Sequence, residues 1–191
     1  MKLILGSQSI GRKEVLTAAG FHFDVMVADI DEKAIRNDNF ELLPLLIARA
    51  KTKALLPTIK DDAVLITSDQ VVVCNGELRE KPKDENEARS WLESYSLHPS
   101  KAITSVVVTD TKSGKQVEGV DIVDVFFDPI PDDVIEKLIS QGRILRTAGA
   151  CIAEDPLLTP YIRELRGDMD SLTGLPMRLT KKFLAEVGYF N

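Results

Sequence analysis

The chain has 191 residues, 44% of them hydrophobic, and a formal net charge of −6. That length fits a single domain over residues 1–191, or two intimately packed lobes, with apolar material enough for a substantial core. The acidic balance argues against a general binder of nucleic acid polymers, which carries a basic excess, but leaves room for a local basic pocket that takes a small anion. The two cysteines, Cys74 and Cys151, fit reduced thiols in a cytoplasmic setting better than a disulfide framework. The opening Met1-Lys-Leu-Ile-Leu-Gly6 has too short an apolar run for a signal h-region or a membrane span, so no membrane partner is expected.

In chain order, Leu3 to Leu5 reads as a short buried strand, and a helical pattern runs from about Gly11 to Ala19, with Gly20 as its stop. The loop between them, Gly6-Ser7-Gln8-Ser9, meets a helix N-terminus, where free backbone N–H groups make a natural anion site. Ser9 can cap that helix. Arg12 and Lys13 oppose the helix dipole at this end, which either a bound phosphate or screening by Glu14 would explain. The loop lacks the Gly spacing and the Gly-Lys-Ser/Thr ending of a Walker A motif. Phe23 to Val27 reads as a second strand with alternating burial, followed by the acidic cluster Asp29, Asp31 and Glu32. Phe40 to Leu56 has a long helical pattern carrying Arg49, Lys51 and Lys53, and periodicity alone singles out none of the three.

Ala63 to Pro82 is the organising stretch. Val64 to Ile66 and Val71 to Val73 are strand formers on either side of Ser68-Asp69-Gln70, and Asn75-Gly76 is a hairpin turn, since both residues tolerate positive φ. Asp69 therefore falls inside a strand and Lys81 at the end of the return strand. A carboxylate there is either solvated at the strand's mouth or held rigidly to bind a metal or take a proton from water. Lys81 would complement it as a phosphate-binding cation.

Asp84 and Glu87 form a capping box for a helix whose buried face is Ala88, Trp91, Leu92 and Tyr95. Lys101–Asp110 and Gln116–Phe127 read as a hairpin around Ser113-Gly114, and Pro131–Ile139 as a short helix with Ile135, Leu138 and Ile139 in the core. The small residues Ala148-Gly149-Ala150 allow a close backbone approach. Tyr161–Leu165 is a strand candidate, Arg166–Asp170 a polar turn, and Gly174-Leu175-Pro176 opens a last helix to about Val187. Alternating strands and helices with a central hairpin define an α/β fold with a mixed, twisted sheet flanked by helices.

Taken together these residues resemble the Maf family, nucleotide pyrophosphatases related in fold to the inosine triphosphate pyrophosphatases, with two lobes and a central cleft. The family's opening Leu-Ala-Ser-x-Ser-Pro-Arg-Arg followed by Glu-Leu-Leu is matched by Leu5-Gly6-Ser7-Gln8-Ser9-Ile10-Gly11-Arg12-Lys13-Glu14-Val15-Leu16. Asp29-Ile-Asp31-Glu32, Lys51, Ser68-Asp69-Gln70-Val71-Val72, Lys81-Pro82, Gly167-Asp168 and Gly174-Leu175-Pro176 follow in the family's order. Any one of these motifs is weak; their shared order and spacing over nearly the whole chain are specific.

The resemblance implies hydrolysis of a nucleoside triphosphate between the α and β phosphates, giving a nucleoside monophosphate and pyrophosphate. It also implies a divalent metal, Mg²⁺ first with Mn²⁺ or Co²⁺ as alternatives, on Glu32 and Asp69. Ser7, Ser9 and the helix N-terminus would cradle phosphate, and Arg12, Lys51 and Lys81 would neutralise it. Asp69 would deprotonate or orient water, or hold the metal that does. Gly11 replaces a family arginine, which predicts weaker phosphate affinity than in members that keep it. Glu154 stands where another branch, acting on dTTP and UTP, has glutamine. A carboxylate only accepts hydrogen bonds, and guanine presents adjacent donors at N1 and N2. Glu154 together with Gln70 resembles the branch that hydrolyses 7-methyl-GTP, and a homodimer fits the family. The alternative from a different class is a non-catalytic nucleotide-binding regulator linked to cell division. A thiolate metal protein has no Cys-x-x-Cys to support it, and His22 and His98 read as ordinary surface histidines.

Overall fold

The computed structural model describes residues 1–190. Seven strands form one sheet in the order β2-β1-β3-β5-β6-β7, with β4 paired to β3 off that path. They are β1 (Lys2–Leu5), β2 (Asp24–Val25), β3 (Ala63–Cys74), β4 (Glu77–Arg79), β5 (Ser100–Asp110), β6 (Gln116–Phe127) and β7 (Ile162–Arg166). The helices are α1 (Ile10–Ala18), α2 (Leu43–Leu55), α3 (Glu85–Ser94), α4 (Asp132–Ser140), α5 (Met169–Leu172) and α6 (Met177–Glu186). The sheet is mixed, as expected: β1 runs parallel to β2 and β3, while β4 and β7 are antiparallel to β3 and β6. Among the described residues no helix is long and apolar enough to cross a membrane.

The chain's internal contacts group it into two compact units. Among the described residues, unit 1 comprises 1–69, 104–121 and 174–190. Its core follows from strand alternation, because successive side chains point to opposite faces. Leu3, Leu5, Val64 and Ile66 pack with Leu16 of α1 and Phe183 and Leu184 of α6. Ile4, Ala63 and Leu65 pack with Leu55 of α2. Continuing the alternation along β3 puts Thr67 and Asp69 on the α2 face and Ser68 on the α6 face. Register with β1 (Leu5 opposite Ile66) places the loop after β1 beside this part of β3.

Unit 2 comprises residues 70–103 and 122–173. Trp91, Leu92 and Tyr95 of α3, Ile135 and Leu138 of α4, and Val123, Val125 and Phe127 of β6 form its core. Tyr95 stacks on Phe127 at 5.5 Å between centroids. The Asn75-Gly76 turn adopts φ of 51° and 76°, as a two-residue hairpin of this sequence requires. Asp84 caps α3 by accepting from Glu87 N at 2.8 Å, and Glu87 accepts in return from Lys83 N, one residue before the cap.

Three expectations need correction. The predicted strand Phe23–Val27 is only Asp24–Val25, both exposed, because the chain pairs with β1 for two residues on an open sheet edge. The polar turn Arg166–Asp170 runs into the single helical turn α5, too short to show periodicity. Pro176 sits at the N-cap of α6 rather than within its first turn.

Candidate active site

α1 begins as its sequence dictates. The Ser9 side chain caps it by accepting from Arg12 N. Ser7 Oγ accepts from Ser9 N at 3.2 Å and from Arg12 Nη1 at 3.1 Å. Arg12 is buried, and its Nε donates to the Gly174 carbonyl at 2.9 Å. The cation at the wrong end of the helix is thus answered inside the chain: Ser7 and Gly174 accept its hydrogen bonds. Burial pulls the Arg12 guanidinium below its ordinary value, and Asp69 and Glu32 pull it back. Ile10, which replaces the family's proline, is 72% exposed, and Gly11 is half-buried.

Asp69 lies mid-strand and 8% exposed, not solvated at the strand's mouth. Lys51 reaches it from α2, with Nζ donating to Asp69 Oδ1 at 2.7 Å and approaching the Ser68 carbonyl at 3.5 Å. The same ammonium pairs with Glu32 Oε1 at 3.1 Å. Glu32 rides on a short 3-10 turn, Glu32–Ala34, whose N-terminus Asp31 caps. Arg49 turns instead to Glu118, so position on the helix separates the cations that composition does not. Burial pushes the Asp69 carboxyl above the usual carboxylate range, with Lys51 and Arg12 opposing and Glu32 reinforcing. A carboxylate raised by burial is a better proton acceptor than one in water.

The structure brings Ser7, Ser9, Arg12, Glu32, Lys51 and Asp69 together within unit 1. Gln70, Lys81 and Glu154 belong to unit 2. Gln70 Nε2 donates to the carbonyls of Ser171 and Leu172, both at 3.0 Å, so both amide hydrogens go to the end of α5. Glu154 is exposed and accepts from Thr173 Oγ1. Lys81 is exposed on the segment after β4.

Residues outside the expected site set hold this arrangement; Gly174 and Ser68 stand in the matched motifs without a role, and sequence reasoning missed Thr67 and Ser105. The Gly174 carbonyl accepts from Ser68 Oγ at 3.0 Å as well as from Arg12. Ser105 Oγ on β5 accepts from Asp69 N at 3.3 Å and donates to the Pro44 carbonyl of α2 at 2.8 Å. Thr67 Oγ1 donates to the Ala48 carbonyl at 2.9 Å. The alternation of β3 was the signal that could have found Thr67; the partner of Ser105 left no trace in the sequence.

Glu32 and Asp69 offer a hard-oxygen donor pair that converges on one cation, Lys51 Nζ. No group of three or more His, Cys, Asp or Glu comes together among the described residues. One or two carboxylates completed by substrate phosphate is how Mg²⁺ is commonly bound, so the donor set fits such a cation and not an all-protein cage.

A buried carboxylate paired with lysine, beside a serine-rich helix N-terminus and a buried arginine, on a mixed α/β sheet, suits an enzyme that handles phosphate anhydrides. The chain belongs to the Maf family, described as Maf-like protein, whose model matches residues 2–187. It is 45% identical over 192 residues to a protein named 7-methyl-GTP pyrophosphatase from Dictyostelium discoideum, covering 97% of this chain and 96% of that one. It is 31% identical to a dTTP/UTP pyrophosphatase from Clostridium novyi (strain NT), covering 98% of each. Among solved structures, a nucleoside-triphosphatase / dITP/XTP pyrophosphatase from Mycobacterium abscessus superposes with a TM-score of 0.43 at 12% identity, over 69% of this chain and 76% of that one.

Proposed function

We propose that the protein hydrolyses nucleoside triphosphates between the α and β phosphates, to a nucleoside monophosphate and pyrophosphate, and prefers a 7-methylguanine-like base to thymine or uracil. Its role is then to clear modified nucleotides. The observation that carries the reading is the buried Asp69–Lys51 pair within reach of the Arg12 charge. The base preference is supported by the 45% identical relative's name and by a carboxylate at position 154.

In this reading Asp69 takes a proton from water. The water oxygen bonds to the α phosphorus as the bond from that phosphorus to the αβ-bridging oxygen breaks. The electron pair leaves with pyrophosphate. Lys51 engages Asp69 Oδ1, which leaves the other carboxylate oxygen for the proton. Arg12 and Lys51 neutralise phosphate charge, Ser7 and Ser9 orient it, and Lys81 shares the neutralising role that the family resemblance assigns it. Gln70 and Glu154 read the base. When bound, a divalent cation, Mg²⁺ with Mn²⁺ or Co²⁺ as alternatives, screens phosphate charge and acidifies water, and Glu32 and Asp69 would hold it.

The test is pyrophosphate release with Mg²⁺ from 7-methyl-GTP, GTP, dTTP, UTP and CTP. The wild type should release it, and Asp69→Asn should lower turnover about 10²–10⁴-fold while nucleotide still binds. Binding without release from any triphosphate would mark the protein as a nucleotide-binding regulator.

A further inference from the structure

We propose that Thr67 is a positioning residue for the hydrolysis described above, an inference that rests on that reading: its hydroxyl links the strand carrying Asp69 to the helix carrying Lys51, and Gly6 makes the room for it. The two charged residues act as a unit but sit on different elements, β3 and α2. Something other than their own attraction must set the distance between the elements.

Thr67 is fully buried, two residues before Asp69 and on the same face of β3. Its Oγ1 donates to the Ala48 carbonyl at 2.9 Å, one turn before Lys51. Thr52, next to Lys51, also points at Ala48, at 3.1 Å, and the two hydroxyl oxygens lie 2.6 Å apart. Each hydroxyl has one hydrogen, so one donates to the carbonyl while the other donates across to its neighbour. The Thr52–Ala48 bond stays within the helix. Apart from the bonds that Lys51 itself makes to Asp69 and the Ser68 carbonyl, both side-chain bonds that cross from β3 to α2 include the Thr67 oxygen.

The hydroxyl at position 67 is not needed to satisfy buried polar groups. Without it, Thr52 donates to Ala48 and nothing is orphaned. The fold does not need it either: Ser105 holds the N-terminal end of α2 at Pro44, and Leu55 anchors the other end among Ile4, Ala63 and Leu65. Between those anchors, Thr67 is the residue other than the ion pair itself that bonds to the turn of α2 presenting Lys51.

Gly6 fits the same device. Its N–H donates to the Ile66 carbonyl at 2.7 Å, which draws the loop after β1 against β3. A Cβ there would lie 2.7 Å from Thr67 Cγ2 and 2.8 Å from Leu55 Cδ1. Any side chain at position 6 therefore pushes on the threonine's methyl group.

The test compares four variants of the full chain by steady-state pyrophosphate release and thermal melting. Thr67→Val, which keeps the shape and removes both crossing bonds, should lower kcat about tenfold with KM within about twofold of wild type. Thr52→Val, which keeps the Thr67–Ala48 bond, and Thr67→Ser, which keeps the hydroxyl, should both stay within about twofold of wild type. Gly6→Ala should reproduce the kcat loss, and adding Thr67→Ser should relieve part of it, because that removes the methyl group while the contacts with Leu55 Cδ1 and the Ile66 carbonyl stay. Thr67→Val turning over at the wild-type rate overturns the role, as does a kcat loss shared by Thr52→Val in proportion to melting temperature. A Gly6→Ala loss that Thr67→Ser does not reduce at all overturns the part given to Gly6. A wild type that releases no pyrophosphate from any triphosphate removes the hydrolysis reading itself, and this role with it.

Discussion

Lys51 Nζ stands 2.7 Å from Asp69 Oδ1, with both side chains about nine-tenths buried. Removing one member of a buried pair leaves the other charge uncompensated, whereas an exposed partner is replaced by water. Lys51→Ala should therefore cost about 3 kcal/mol, read as a lower urea midpoint with an unchanged slope. Glu32, whose side chain is 51% exposed, pairs with the same lysine, and Glu32→Gln should cost under about 1 kcal/mol. Equal losses in the two variants would mean that solvent reaches the pair.

Gly174 should resist substitution for two reasons. Its φ is +110°, where a side chain is strained, and its carbonyl accepts from both Arg12 and Ser68. Gly174→Ala would cost about 1–3 kcal/mol and place a Cβ 3.4 Å from Arg12 Nε. Melting temperature should fall and KM for the triphosphate should rise. Arg12→Lys keeps the charge but loses the planar fork that spans Ser7 and Gly174, so its KM should rise as well.

Base selectivity tests Glu154. Glu154→Gln gives the position a donor and should lower the kcat/KM ratio of 7-methyl-GTP to dTTP about tenfold or more. An unchanged ratio removes Glu154 from base recognition.

Cys151 should be a poor nucleophile. Cys151 is only partly buried, but the loss of solvent around its sulfur, with a smaller push from the Glu154 charge, drives its thiol up to about 12. At pH 8 the group is therefore neutral, and thiol reagents should label it far more slowly in the native protein than in urea. The sign for stability follows. The folded state keeps this proton at a pH where the unfolded chain has lost it. The contribution is full below about pH 8.5 and is lost as pH rises towards 12. Native labelling at the unfolded rate at pH 8 would contradict this.

Much of the fold was legible because its signals are local. The β3 strand with its Asn75-Gly76 turn, the Asp84–Glu87 cap and the Ser9 cap all depend on residues a few positions apart. The short β2 and the single turn α5 were not, since two to four residues carry no usable period. The charge of Arg12 was legible as an anomaly, but its answer lies 162 residues away at Gly174.

The sequence by itself determined which residue types could do the chemistry: a carboxylate inside a strand, serines at a helix start, cations in set positions. The ordered motifs tied them to one family. Only the tertiary structure decided that Asp69 is buried rather than solvated, that Lys51 and not Arg49 is its partner, and that Thr67 and Ser105 hold the two elements in place. Motif and periodicity are properties of neighbours along the chain. Burial and pairing depend on which distant elements pack together, and these pairs form only once α2 docks on β3.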